Sequence, residues 1–255
     1  MGKQILELYN TEDSVMNDAI DRVVVRLYGI RKESNAGSFI FTGVGSHAGT
    51  TSVAINVAIA LAEAGWKTVF VDCDLRKGTD YKRISGESST HSLAGYLMDT
   101  SISVEDAVYE TNYKGLSFIP SGDCVENPVR LLCTGRMEEM VRLLKEKYDY
   151  VIFDLPSINT VNDAEILIPE TDRFILVTAL NVSTKREILD ARLELSRFED
   201  HYAGMIVNRV EARQYRRQIR DFDYFSRENL ENMQKRALAR KFKKKGKKKE
   251  ASDAK

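Results

Sequence analysis

A doubly wound α/β fold, with a mainly parallel sheet and helices on both faces, follows from three features of the sequence. Short continuous runs of Val, Ile, Phe and Leu recur between residues 38 and 208, as in strands buried on both faces of a parallel sheet. Helical patterns separate these runs, and such alternation belongs to this class. The first run opens through a glycine-rich turn, "GVGSHAGTT", into a long Ala/Val/Ile segment. That arrangement points backbone N–H groups and a helix dipole at one spot, where an anion is favoured.

Along the chain, "SVMNDAIDRVVVRLYGIRK" places Met16, Ile20, Val23, Leu27 and Ile30 at helical spacing, with Ser14 as candidate cap. This helix either covers the body or faces a partner subunit. Strands are expected at Ser38–Thr42, Lys67–Val71, Gly115–Ile119, Tyr150–Asp154, Arg173–Thr178 and Gly204–Asn208. The helix after the glycine turn is apolar nearly all round and is expected inside the layers. In "RMEEMVRLLKEK", Met137, Met140, Val141 and Leu144 give one apolar face. After Asn208 the sheet pattern stops and charge takes over. The expected organisation is an N-terminal helical segment (1–37), an α/β domain (38–211) and a basic tail (212–255), disordered or amphipathic-helical.

The 255 residues suit one α/β domain with appendages. No apolar run approaches the ~20 residues of a membrane-spanning helix, and "MGKQILELYNTEDS" has no secretory signal pattern. Cys73, Cys124 and Cys133 lack disulfide or metal-ligand spacing and read as reduced cytosolic thiols. Charge is balanced overall, 38 basic against 38 acidic residues, but residues 212–255 hold 16 of the basic and 6 of the acidic ones. Within them Lys235–Lys249 carries ten basic side chains and no acid, behind Leu230, Met233, Ala237, Leu238 and Phe242 near helical spacing. Such a segment suits an anionic membrane surface, at about 1 kcal/mol per basic residue. It also suits nucleic-acid phosphates, or a solvated tail with no partner.

Gly43, Gly45 and Gly49 fit the turn of a phosphate loop, and Thr51 is placed to offer a hydroxyl to Mg²⁺. "TVFVDCDLRK" puts Asp72 and Asp74 beyond one apolar strand, followed by Arg76, and "YDYVIFDLPS" puts Asp154 at the end of another. Ligands of open α/β sheets bind at the carboxyl ends of strands, so these acids should converge beside the turn and make a reasonable Mg²⁺ shell with the hydroxyl. One strand-end aspartate alone reads as readily as a helix cap. The set around one loop favours a site.

Taken in order, these motifs resemble the bacterial tyrosine kinases (BY-kinases) of capsule and exopolysaccharide assembly, within the deviant P-loop ATPases that include MinD and ParA. "VFVDCDLR" matches the family's D-x-D-x-R motif, and "VIFDLPS" its Walker B motif with Ser157 in place of the last proline. "IPSGDCVENPVRLLCTGRMEEM", "VNDAEILIPETDRFILVT" and "MIVNRVE" are similar to the stretches that flank and follow Walker B. The resemblance implies a MinD/ParA-like P-loop fold with ATP and Mg²⁺ as cofactors. It assigns nucleotide contacts to Gly45, Gly49, Thr50, Thr51, Ser52, Arg76 and Asn208, the last at the adenine. It assigns metal binding to Thr51, Asp74 and Asp154, with catalysis by Asp72, Asp74 and Asp154, one of the first two a candidate base for a tyrosine hydroxyl. It also implies a transmembrane polysaccharide-copolymerase-type adaptor, a homo- or hetero-oligomer and a cytoplasmic place at the inner face of the membrane.

Departures gather at the phosphates. Where the family's loop reads P-G-x-G-K-[ST], this chain has Ser46, His47 and Thr50 for proline, glycine and lysine, and Gly45 where MinD-like loops have an earlier lysine. Losing a fixed cation there costs several kcal/mol of transition-state stabilisation, on the scale of other electrostatic stabilisers. The ring-assembly motif E-x-x-R-x-x-R corresponds to "DAIDRVVVR", with Asp18 and no arginines in register, and the tail has only Tyr215 and Tyr224 in place of a tyrosine cluster. The sequence therefore predicts a pseudokinase that regulates polysaccharide assembly and binds ATP weakly or not at all. The alternatives are an active kinase whose lysine comes in trans and, third, a ParA-like positioning ATPase using its tail on DNA, which the D-x-D-x-R motif disfavours.

Overall fold

The structure, a computed structural model, describes residues 14–78 and 91–218. Its strands are β1 (Ser38–Gly43), β2 (Thr68–Asp72), β3 (Tyr109–Glu110), β4 (Leu116–Ile119), β5 (Tyr150–Leu155), β6 (Arg173–Ala179) and β7 (Tyr202–Asn208). They form one sheet in the order β3-β4-β2-β5-β1-β6-β7, parallel throughout except for the β3–β4 pair. All six strands expected from sequence are present, with ends moved by one or two residues. The two-residue β3 carries no periodicity that sequence reading could detect.

The helices are α1 (Ser14–Ser34), α2 (Thr50–Glu63), α3 (Leu93–Met98), α4 (Pro128–Leu132), α5 (Gly135–Lys147), α6 (Asp163–Leu167), α7 (Lys185–Glu194) and α8 (Ala212–Gln218). Residues up to Arg209 form one compact unit, and α8 belongs to a second that starts at Val210. The basic segment 235–249 lies outside the described residues. Among the described residues no helix is long and apolar enough to cross a membrane, and Cys73, Cys124 and Cys133 are free thiols.

Side chains alternate cleanly across the sheet, as a pleat of period two requires. Phe39 and Phe41 of β1 point to the face covered by α2, together with Tyr150 and Ile152 of β5. Ile40, Val151 and Phe153 point to the opposite core, where the Met137, Met140, Val141 and Leu144 face of α5 is buried as its spacing predicts. Nine residues of α2 are buried, Asn56 among them, in keeping with its all-round apolar surface. On top of α2 lies α1, with Ile20 and Leu27 buried and Met16, Val23 and Ile30 packed beside them. The Arg31 guanidinium sits 5.8 Å from the Trp66 ring centre and 5.1 Å from that of Tyr150, a cation–π clamp. Of the two roles open to this helix, covering the body is the one observed.

Asp172 fastens the start of two central strands. Its Oδ2 accepts from Gly37 N–H (2.8 Å), Ser38 N–H (2.9 Å) and Ser38 Oγ (2.9 Å), and its Oδ1 from Lys145 Nζ (2.7 Å). Burial alone would raise this carboxyl, but the Lys145 ammonium and the β1 donors outweigh it and hold it below the usual carboxylate range. A depressed folded-state pKa gives stability that is present above the unfolded value of ~4 and disappears as pH falls through the folded value. Asp172→Asn is therefore expected to lower stability at neutral pH by about 2–3 kcal/mol, the scale of hydrogen bonds to a charged group. Urea unfolding at several pH values checks this, and a deficit that persists unchanged below the carboxylate range contradicts it.

Candidate functional site

β1 lies between β5 and β6 and delivers the loop 43–49 to the carboxyl edge of the sheet. Val44 N–H donates to Val177 O at 2.8 Å and Ile158 N–H to Gly43 O at 2.9 Å, which ties the loop's root to both neighbouring segments. Gly49, at the N-cap of α2, holds φ at +79°, where glycine carries no Cβ penalty. A Cβ there would stand 2.4 Å from Asn208 Nδ2. That nitrogen donates to Ala48 O at 2.8 Å, and Asn208 Oδ1 accepts from Arg209 N–H at 2.8 Å. Asn208 thus buttresses the loop from β7, while Arg209 lines the cavity.

Gly45, Ser46, Gly49, Thr50, Thr51, Ser52, Asp72, Asp74, Arg76 and Asp154 all border one cavity of about 760 Å³. Among the described residues the amides of Gly45, Ser46, His47 and Gly49 have no acceptor, and the first-turn amides of α2 lack one by helix geometry. Free loop amides are what an anion cradle of the expected kind requires. At the positions that depart from the family pattern, Ser46 and His47 are exposed at the rim. His47 sits at φ +64°, a region where non-glycine residues are uncommon. The Thr50 hydroxyl rests against Gly43, 2.8 Å from where a Cβ on that glycine would lie.

The acids meet on the other side of the cavity. Asp72 and Asp154 are direct partners across the β2–β5 pair. Asp72 Oδ2 accepts from Ser121 Oγ at 3.0 Å and Oδ1 from Asp74 N–H at 3.1 Å. Burial nevertheless lifts the Asp72 carboxyl to about 7. Asp154 is 2% exposed; burial and the adjacent Asp72 push its carboxyl well above the usual range, against the hydrogen bond from Thr51. Asp154 Oδ1 is buried with no hydrogen-bond partner, and an unsatisfied buried acceptor of this kind needs an explanation.

A cation supplies one, so the residues present fit Mg²⁺. Thr51, Asp154 and Asp74 would hold it, and bound Mg²⁺ supplies charge neutralisation at phosphate oxygens. Among the described residues no three His, Cys, Asp or Glu side chains converge to hold a metal alone. Phosphate oxygens and water would complete the shell, as is usual for this ion.

Arg76 is engaged elsewhere. Its Nη2 and Nε donate to Asp163 Oδ1 and Oδ2 at 2.8 and 3.2 Å, a bidentate pair with a carboxylate that has no exposed surface. Sequence reading assigned no role to three contributors: Asp163 at the start of α6, Ser121, and Arg209 beside the assigned Asn208. Each acts through a partner more than forty positions away or by bordering the cavity, so no local pattern announces it.

The pH response of the acid pair is testable. A carboxyl raised in the folded state contributes stability that is complete below its unfolded value of ~4 and is lost as pH rises through about 7. Asp72→Asn, which cannot ionise, is expected to gain in melting temperature over wild type as pH climbs across that window in chelator-treated buffer. Equal differences at both ends of the window contradict the burial argument.

Comparison with known proteins agrees with this geometry. Residues 43–217 match the sequence family described as an AAA domain. The tyrosine-protein kinase CpsD of Streptococcus pneumoniae serotype 4 is 31% identical over 170 residues, covering 67% of this chain and 74% of CpsD. The BceF tyrosine kinase domain superposes with a TM-score of 0.66 at 28% identity, covering 75% of this chain and 76% of that one. The septum site-determining protein MinD of Pyrococcus horikoshii, solved with Mg-ADP, shares the fold with a TM-score of 0.56 at 24% identity, covering 69% and 72%. With its glycine loop, strand-end acids and α/β topology, the chain belongs to the BY-kinase family of capsule and exopolysaccharide biosynthesis.

Proposed function

We propose that this chain is a pseudokinase of that family, a cytoplasmic regulator of polysaccharide assembly that works with a transmembrane adaptor and binds ATP weakly or not at all. The observation that carries the reading is the charge at the loop. Position 50 holds a threonine folded against Gly43, and the nearby guanidinium of Arg76 is committed to Asp163. Phosphoryl transfer depends on positioning and on neutralising phosphate charge, and no loop side chain does the second. A competent kinase with a lysine supplied in trans is the second reading, favoured by the unpartnered Asp154 Oδ1 on the metal side.

Calorimetric titration of Mg²⁺–ATP and Mg²⁺–ADP separates the two. Wild type is expected to bind more weakly than millimolar or not at all. Thr50→Lys is expected to tighten binding at least tenfold, about 1.4 kcal/mol, since the backbone cradle is already formed. Micromolar wild-type affinity would remove the pseudokinase reading.

The basic segment 235–249 gives this regulator a route to the anionic inner face of the membrane. Sedimentation with vesicles containing an anionic lipid is expected to be lost when residues 235–255 are deleted, and equal sedimentation of the truncated chain contradicts the membrane role.

A further inference from the structure

Loss of the loop lysine does not leave the cavity without cations. Arg76, Lys77 and Arg209 all border it, and their situations differ. Arg76 is held by the buried carboxylate of Asp163; freeing it would leave a buried charge unpaired. Arg209 follows β7, two strands beyond β1 on the side away from the acids, next to the Asn208 that supports the loop. Lys77 follows β2 on the acid side. It is exposed, and among the described residues no carboxylate forms an ion pair with it.

The turn that carries Lys77 is also fixed in place. Lys77 N–H donates to Asp74 Oδ1 at 3.1 Å and reaches Asp74 O at 3.3 Å, while Gly78 N–H donates to Asp74 O at 3.0 Å. Gly78 takes φ +72°, closing the turn as only glycine does readily. Asp74, one of the candidate metal ligands, therefore also anchors the backbone from which the ammonium extends. The ammonium acts on both buried acids, Asp72 and Asp154, opposing the rise that burial imposes.

We propose that Lys77 is the phosphate-binding cation of this cavity, standing in cis for the absent loop lysine and giving weak affinity for a Mg²⁺-bound nucleoside di- or triphosphate. The proposal rests on the reading of the cavity as a weakened nucleotide site and names the residue that holds its remaining affinity. An ammonium on a flexible four-carbon stem can reach phosphate oxygens from the rim. It loses more rotamer freedom on doing so than a lysine packed in the loop, so the affinity stays low.

The test is nuclear magnetic resonance titration of the full chain with Mg²⁺–ADP and with Mg²⁺–pyrophosphate, comparing wild type with Lys77→Met, Lys77→Arg, Arg209→Met, Thr50→Lys and Thr50→Lys/Lys77→Met. Lys77→Met is expected to weaken both probes at least ~10-fold, the loss of about one charged contact, with an unchanged melting temperature. Lys77→Arg should retain binding. Arg209→Met should weaken pyrophosphate less than Lys77→Met does, and the double variant should bind as Thr50→Lys alone. Equal binding by wild type and Lys77→Met overturns the proposal. So does a wild type that fails to bind either probe at the highest concentration used, an outcome that leaves the pseudokinase reading standing. Micromolar wild-type binding abolished by Lys77→Met would do the reverse, supporting the lysine and sinking the weak-site reading.

Discussion

Two carboxylates buried side by side set the terms for this molecule. Asp72 and Asp154 oppose each other because β2 and β5 pair in register, and that register is not free to slip. A shift of one residue would turn every inward side chain of one strand to the other face, taking Val71 and Phe153 out of their core. Hydrophobic packing thus forces two acids together in a poorly solvated place, where ionised carboxylates are costly. Donors from Ser121, the Asp74 amide and Thr51 meet part of the demand. The unpartnered Asp154 Oδ1 marks the part that protonation or a bound cation can meet.

Shape and charge are held separately in the cradle opposite. Its backbone is positioned by Val177, Ile158 and Asn208, contacts that involve none of the side chains at 46, 47 and 50. Replacing lysine by Thr50 therefore removes charge while leaving the loop's path intact. The path is also enforced from below, because α2 is buried on most of its circumference and must start where Gly49 turns the chain. Core packing thus obliges the chain to build the loop whether or not a lysine stands in it.

Much of this was legible in the sequence, and the limits have physical causes. The apolar runs of β1, β2 and β5 announced themselves because strands buried on both faces leave no polar residue to blur the pattern. The strand-end acids could be placed at one edge because parallel sheets put all carboxyl ends together. Asp163 could not be assigned, since an aspartate at a helix start reads as a cap until the fold brings Arg76 against it. Asn208, expected at the base, spends its amide on Ala48 O and its carbonyl on Arg209 N–H, pairings that exist only once β7 has docked on β6. For α1, periodicity gave the apolar stripe but not its occupant, which the packing on α2 and the Arg31 clamp over Trp66 and Tyr150 supplied.

The Arg76–Asp163 pair explains why Arg76, although it borders the cavity, does not replace the absent loop lysine. Withdrawing the half-exposed Arg76 would leave the fully buried Asp163 carboxylate without its partner, a cost that a contact to phosphate must first offset. Arg76 therefore remains a brace between the turn after β2 and α6, and Asp72, Asp74 and Asp154 gather on one side of the cavity. A free polyphosphate entering it would favour the protonated forms of the buried Asp72 and Asp154, whose carboxyls burial already raises. The same polyphosphate complexed with Mg²⁺ brings the charge that Asp154 Oδ1 lacks. If a nucleotide binds here, its metal has both protein and ligand charge to neutralise, a share of which a loop lysine would otherwise carry.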